Sequence, residues 1–365
     1  MKSLPPAVSD KREGRRVRLG LAGLGRMGRL HADNLVRSPA VELVRVVDAI
    51  EEVARSTGER LGVAWSSSYD DLLEDPRIEG VVLVTPTALH AGMVEQAAAA
   101  GKHTFCEKPI ALEVEPTIQA IEAAATAGIK LQVGFHRRFD PDWAAAAARI
   151  RAGELGDVYL FRSSLRDMRP PSFDYIAGSG GFFADVTIHD LDTARWMIGE
   201  IDEITAVGGV LSDPSFAEFH DIDHAVVVLR FAGGALGMID NSRAAGYGYE
   251  CSAEVMGSTA TVRIANHRRV HNEWLTPGQA AVDWVVDFTE LFREAYLCEL
   301  EEFAAAIRED RPPAVTGEDA LAAFMLARAC ARSLEEGRTI RLEREEGSRG
   351  VSYELQAIDT KGGST

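Results

Sequence analysis

Apolar positions follow two different rhythms along this chain. From Val17 to about Phe135, short apolar runs alternate with stretches of helical spacing. The runs are VRLGLAGLG, VELVRVVDA, GVVLVTPT, KHTFCEKPI and IKLQVGF, with a further short strand near Val63. Between them, RMGRLHADNLVRS sets Met27, Leu30, Asn34 and Leu35 at helical spacing, and HAGMVEQAAAAG and EPTIQAIEAAATAG read as further helices. Apolar strands that alternate with helices predict a parallel sheet covered on both faces. After residue 153 the rhythm changes. GDVYLFRSSLRD, ITAVGGVLSD, DHAVVVLRFAGG, ALGMIDNSRA, ECSAEVMGS and ATVRIAN read as successive strands, with AGG and GST as turn signals. Strands without intervening helices predict a mostly antiparallel sheet. Two long helices are expected at about 287–309 and 317–336, the second capped by Thr316 with Asp319 three residues on.

The first apolar run ends in Gly23-x-Gly25-x-x-Gly28 and opens directly into a helix. The glycines allow a tight turn, close backbone approach to a pyrophosphate, and close packing of helix on strand. Free N–H groups at the helix start then face the phosphates. The second strand ends in Asp48, 20 residues after Gly28, where a carboxylate would accept hydrogen bonds from a ribose. Ala49 and Ile50 follow it, rather than Arg or Ser, so NAD is expected over NADP. Arg26 and Met27 complete the loop. Thr85, Thr87 and His90 stand where the third apolar strand turns into a helix, and Glu107 and Lys108 stand at the end of the next, so all five are expected near the cofactor. These features predict an α/β protein. An N-terminal Rossmann NAD-binding domain spans 15–136. A C-terminal α/β domain with a large, mostly antiparallel sheet spans 137–342. Flexible tails cover 1–14 and 343–365.

GGFFADVTIHDLDTARWM places Asp185, His189 and Asp192 at spacings i, i+4 and i+7 among apolar neighbours. Metal ligation, proton transfer and helix capping would each suit the pattern. No second group of ligand-spaced His, Cys, Asp or Glu accompanies it, so no metal is expected. Oxidising a secondary alcohol needs a hydride acceptor and a base, and a neutral histidine suits the second role. On this reading His189 takes the hydroxyl proton and Lys108 offsets the developing alkoxide charge. Asp185 orients the imidazole or binds a neighbouring hydroxyl, and Asp192 is support.

The glycine loop, TPTALH, EKP and GGFFADVTIHDLDTARW together resemble the Gfo/Idh/MocA oxidoreductase family. DYIAGSGGFFADVTIHDLDTARWMIGE, IDNSRAAGYGYE and RPPAVTGEDAL are most similar to its inositol 2-dehydrogenases. The resemblance runs from about Val17 to Leu342. It implies a Rossmann domain followed by a domain whose large sheet packs subunits into tetramers. It also implies that Lys108, Asp185 and His189 form the catalytic set, with the histidine as general base. It places an arginine, Arg138, near the ligand, and Asp167 on substrate hydroxyls. Tyr247 and Tyr249 are further candidate contacts. The chain departs from the family pattern at His136, where relatives carry Asn, and at Leu165 and Met168, where they carry Ser and Pro. Phe292 stands where they often carry Tyr. Lost hydroxyls imply a less polar ligand than inositol itself, such as a deoxy, amino or methylated cyclitol or a glycoside.

Bulk properties narrow the partners. A length of 365 residues suits two domains, and 46% hydrophobic with 26% charged residues is ordinary for a globular protein. A net charge of −17 disfavours nucleic acid. No signal-peptide core or run of 18 apolar residues is present, so neither export nor a membrane span is expected. The four cysteines are scattered, which suits a reduced cytoplasmic setting. The expected function is NAD-dependent oxidation of a small polyol or sugar by a homo-oligomer. The alternatives are an NADP-linked sugar-ketone reductase of the same family and a non-catalytic dinucleotide-binding sensor.

Overall fold

The computed structural model describes residues 14–266, 273–347 and 350–358. The first half alternates as its apolar rhythm predicts: β1 (Val17–Ala22), α1 (Arg26–Arg37), β2 (Val41–Val47), α2 (Glu51–Leu61), β3 (Ala64–Ser66), α3 (Asp70–Leu73), β4 (Gly80–Leu83), α4 (Thr87–Ala99), β5 (His103–Glu107), α5 (Val114–Ala127) and β6 (Leu131–Gly134). The six strands form a parallel sheet in the order β3-β2-β1-β4-β5-β6. Every residue of β4 and β6 is buried, as strands covered on both faces must be. The order reverses between β1 and β4, so a crevice opens at their carboxyl ends, where the glycine loop and Thr85 lie.

A short 3₁₀ turn (His136–Phe139) leads into the second half: α6 (Pro141–Arg151), β7 (Val158–Arg166), α7 (Phe173–Gly178), a wide π-type turn (Phe183–Thr187), α8 (Ile188–Ile198), β8 (Ile201–Gly209), β9 (His224–Phe231), β10 (Leu236–Ser242), β11 (Glu250–Gly257), β12 (Thr261–Ile264), β13 (Trp274–Thr276) and β14 (Gln279–Ala281). Helices α9 (Phe288–Leu291), α10 (Arg293–Arg308) and α11 (Gly317–Glu336) follow, then β15 (Thr339–Gly347) and β16 (Gly350–Ile358). The second sheet has the order β12-β11-β7-β10-β9-β8-β15-β16. Its one parallel pairing among the described residues is β7 with β10. Strand β9 alternates buried Ala225, Val227 and Leu229 with exposed Val226 and Val228. Helices α6, α8 and α11 pack on the inner side, and the outer face carries apolar residues without cover.

Two expectations need correction. The segment after Leu342 is not a loose tail through residue 358. It completes β15 and pairs with β16 from Thr339↔Ile358 to Gly347↔Gly350, while 359–365 lie outside the described residues. The helix expected over 287–309 is broken at Phe292, whose φ of −101° and ψ of 23° separate α9 from α10. The hydrophobic core runs across the two halves of the chain. Leu300, Phe303 and Ala304 of α10 share one buried cluster with Val17, Leu19 and Leu21 of β1. The chain returns to roof the first sheet after building the second. The capping box on α11 is as expected: Asp319 N donates to Thr316 Oγ1 (3.2 Å) and Thr316 N donates to Asp319 Oδ2 (3.1 Å).

Candidate active site

A cavity of about 1590 Å³ runs from the glycine loop to α8. Gly23 has φ +92°, a left-handed value that glycine adopts without strain. A Cβ on Gly28 would lie 1.9 Å from the Gly23 carbonyl oxygen, so this contact between α1 and the loop admits no side chain. Nothing lies within 4 Å of the corresponding point on Gly25, which borders the cavity. Gly28→Ala is therefore expected to force the loop open and weaken NAD binding by at least about tenfold, near 1.4 kcal/mol. Titration of NAD by calorimetry checks this, and an unchanged affinity would contradict it.

Asp48 braces this loop. Its carboxylate accepts from Leu24 N (2.7 Å) and Ile50 N (2.9 Å) and lines the cavity. Arg26 turns across to the second half, where it meets Asp287 at 2.5 Å and lies 4.6 Å over the Phe288 ring. Met27, Thr85, Thr87 and His90 all line the cavity. Thr85 Oγ1 donates to Met93 Sδ (3.3 Å), and Thr87 begins α4 without a capping bond from its side chain. The ring nitrogens of His90 stand 2.7 Å from the Thr85 carbonyl and 2.9 Å from the Pro109 carbonyl. His90 thus ties the ends of β4 and β5 together. The residues present suit a dinucleotide: an open glycine edge, a helix start and an acid at the tip of β2.

Farther along, Lys108 Nζ donates to the Asp185 carbonyl (2.9 Å) and Oδ1 (3.3 Å). Tyr175 OH donates to the same Oδ1 (2.8 Å), and Arg243 NH1 donates to Oδ2 (2.9 Å). Burial pushes the Asp185 carboxyl up, but Lys108, Arg243 and Tyr175 together hold it below the usual range. The half-buried ring of His189 also lines the cavity, edge-on to Phe135 and His136 at 6.1 and 5.1 Å between ring centres. Burial, then the Lys108 charge and the neighbouring His136 and Arg137, hold its pKa well below 6.5. Its Nδ1 is buried without a partner, so the ring meets the cavity through its other edge. A neutral imidazole with a free nitrogen is a base ready to accept a proton.

Asp185 does not bond to His189, although i and i+4 residues of an α-helix share a face. Asp185 lies in the π-type turn and His189 in α8, and the wider turn moves the two side chains apart. Asp192 is farther still from the chemistry. It accepts both ends of Arg138, from Nε (2.9 Å) and NH2 (2.5 Å), and Arg138 also meets Asp319 at 3.2 Å. Arg138 is thus spent on a buried ion pair and does not line the cavity. Its neighbour Arg137 does, with NH1 bonded to Asp190 at 2.7 Å. Leu165, Asp167, Met168 and Tyr249 line the cavity. Burial and the nearby Asp185 charge push Asp167 up to about 6. Phe292 and Tyr247 do not line it. Phe292 is buried edge-on to His136, and Tyr247 is half-exposed with its hydroxyl on Arg166 and Glu250. Sequence reasoning missed Tyr175, Arg243, Arg137 and Asp287. Arg243 directly follows β10 within the quoted IDNSRAAGYGYE motif, a strand-end signal that would have found it.

Residues 17–135 match the oxidoreductase family's NAD-binding Rossmann fold, and residues 147–342 match its C-terminal alpha/beta domain. Myo-inositol 2-dehydrogenase of Thermotoga maritima is 40% identical over 333 residues, 90% of this chain and 99% of that protein. The NAD(+)-dependent scyllo-inositol 2-dehydrogenase of Bacillus subtilis is 38% identical over 330 residues, 90% of this chain and 96% of that protein. The crystal structure of scyllo-inositol dehydrogenase from Lactobacillus casei, with bound NAD(H) and scyllo-inositol, superposes with a TM-score of 0.84 at 28% identity. That match covers 90% of this chain and 99% of that one. No helix among the described residues is long and apolar enough to cross a membrane. With both domains matched in order around one cavity, the chain belongs to the Gfo/Idh/MocA family of oxidoreductases, built on an NAD-binding Rossmann domain.

Proposed function

We propose that this protein is an NAD-dependent dehydrogenase that oxidises a ring secondary alcohol of a cyclitol or sugar to the ketone. One observation carries the reading: a neutral, half-buried His189 shares a cavity with a lysine whose ammonium is fixed by Asp185. NAD, when bound, supplies the acceptor for the hydride of the carbinol carbon. His189 takes the hydroxyl proton. Lys108 stabilises the negative charge that builds on the oxygen as the proton leaves. Asp185 keeps the amine in place, helped by Tyr175 and Arg243, which hold the carboxylate from its other sides. Asp48 supports NAD over NADP, because a 2′-phosphate at the tip of β2 would face its charge. The apolar outer face of the second sheet suits burial against a second copy, with the mass in solution as its measure.

Leu165 on the cavity wall supports a ligand with one hydroxyl fewer than inositol, or with one masked. Phe292, outside the cavity, gives that idea no support. The test is a screen of NAD and NADP reduction over inositol isomers, aminocyclitols and pyranosides. We expect NAD-linked turnover, with at least one deoxy, amino or glycosidic substrate exceeding myo-inositol in kcat/KM. Leu165→Ser should narrow that gap by about tenfold, as a restored polar partner does for a hydroxylated ligand. Preference for NADP, or no turnover of any ring alcohol, would remove the reading.

A further inference from the structure

Beneath Lys108, three ionisable groups from three elements meet, two of them fully buried and the third, Glu107, at the edge of the cavity. His31 comes from α1, Glu107 from the end of β5 and Glu299 from α10. One side-chain nitrogen or carboxylate oxygen from each lies within 4.8 Å of those from the other two. His31 Nε2 is 2.6 Å from Glu107 Oε1 and 4.0 Å from Glu299 Oε1. Glu299 is 0% exposed, and neither of its carboxyl oxygens has a hydrogen-bond partner. The titratable groups around it are His31, Glu107 and, from its own helix, Tyr296 and Cys298. Gln132 of β6 spends its amide N–H on the Glu299 backbone carbonyl (2.7 Å), not on the side chain. No lysine or arginine forms an ion pair with Glu299 among the described residues.

An ionised Glu299 here would be a second carboxylate beside Glu107 in a dry site, with one imidazole between them. Two such charges cannot both persist at this range, so one carboxyl keeps its proton. Glu107 is the one that ionises. It borders the cavity and accepts from Lys108 N (3.3 Å), and it stands against the His31 nitrogen. Burial pushes Glu107 up, but His31, Lys108 and His90 hold it below the usual range. Burial and the Glu107 charge push Glu299 well above it.

We propose that His31, Glu107 and Glu299 form a buried proton-holding triad, in which Glu299 stays the neutral acid and Glu107 is the single carboxylate that anchors the backbone of Lys108. Glu299 and His31 are then positioning residues for Lys108, and this inference rests on the role given to Lys108 above. The triad has a consequence for stability that is independent of catalysis. In the unfolded chain Glu299 loses its proton above about pH 4.3, whereas in the folded protein it keeps it. Folding therefore takes up a proton near neutral pH, and stability falls as pH rises from about 4.3 toward the folded value.

Glu299→Gln mimics the neutral acid and removes this penalty. We expect the melting temperature of Glu299→Gln relative to wild type to rise between pH 5 and pH 8 by at least about 3 °C. We also expect Glu299→Ala to lower kcat by about tenfold through a displaced Lys108, and the glutamine to restore most of that loss. A melting difference independent of pH, or one that turns against the glutamine at pH 8, overturns the triad even if the dehydrogenase reading holds. Stoichiometric zinc in the purified protein, absent from Glu299→Gln, overturns it too, because the same donors would then be ligands. A normal melting result with no ring-alcohol oxidation would instead count against the dehydrogenase reading alone.

Discussion

Replacing His189 with alanine lowers kcat by about 10²–10⁴-fold, the usual contribution of a positioned general base. The dissociation constant for NAD stays within about threefold, because His189 lies on α8 and the dinucleotide loop lies between β1 and α1. The pH dependence gives a second reading. As the proposed base, His189 would act only as the neutral imidazole, so wild-type activity is expected to fall as pH drops through its pKa. Burial and the Lys108 charge hold that pKa well below 6.5, so the plateau extends below pH 6.5 before the acid limb begins. In the alanine variant that limb disappears, and the residual rate rises with pH as solvent takes the proton. Steady-state NADH absorbance across pH 5–9 measures both effects. A variant with kcat within threefold of wild type at every pH would exclude His189 as the base.

Asp192→Ala has the opposite signature. Its carboxylate holds Arg138, whose side chain is 6% exposed, and removal leaves a buried guanidinium sharing only Asp319. Breaking one side of a buried ion pair costs about 3–5 kcal/mol. For a chain of this size that lowers the melting temperature by roughly 4–7 °C. Turnover per folded molecule stays within about threefold, since neither Asp192 nor Arg138 lines the cavity. Differential scanning calorimetry, paired with kinetics at 15 °C, separates the two quantities. A large loss of kcat with an unchanged melting temperature would return Asp192 to the chemistry.

The first sheet was legible because its strands are short, mostly apolar runs between helical stretches and its glycine loop has a fixed chemistry. Thr316 and Asp319 announced α11 by the same kind of local rule. The hairpin β15–β16 was not legible, because TIRLEREEG is mostly charged and only Ile340 and Leu342 are inward-facing apolar markers among its described side chains. At the site, sequence reasoning picked out Lys108, Asp185 and His189, which line one cavity, but not the direction of their neighbours. Arg137 and Arg138 are adjacent, and only the 3₁₀ turn decides that the first borders the cavity and the second meets Asp192. Tyr175 sits on a six-residue helix, too short to show a period. Glu299 reads as one more acid in ELEEF, and its burial depends on how α10 folds back over β1 and β5.

The π-type turn at Phe183–Thr187 sets the phase of everything on α8. Such a turn holds one residue more than the α-helical turn it replaces. Each residue of an α-helix advances the side chains by about 100°. Deleting one residue from this turn would therefore rotate Asp185 relative to His189 by roughly that angle. The carboxylate could not then face Lys108 while the imidazole faced the cavity. Asp185 and His189 are four positions apart in the chain, but it is this local miscount that lets each address a different partner.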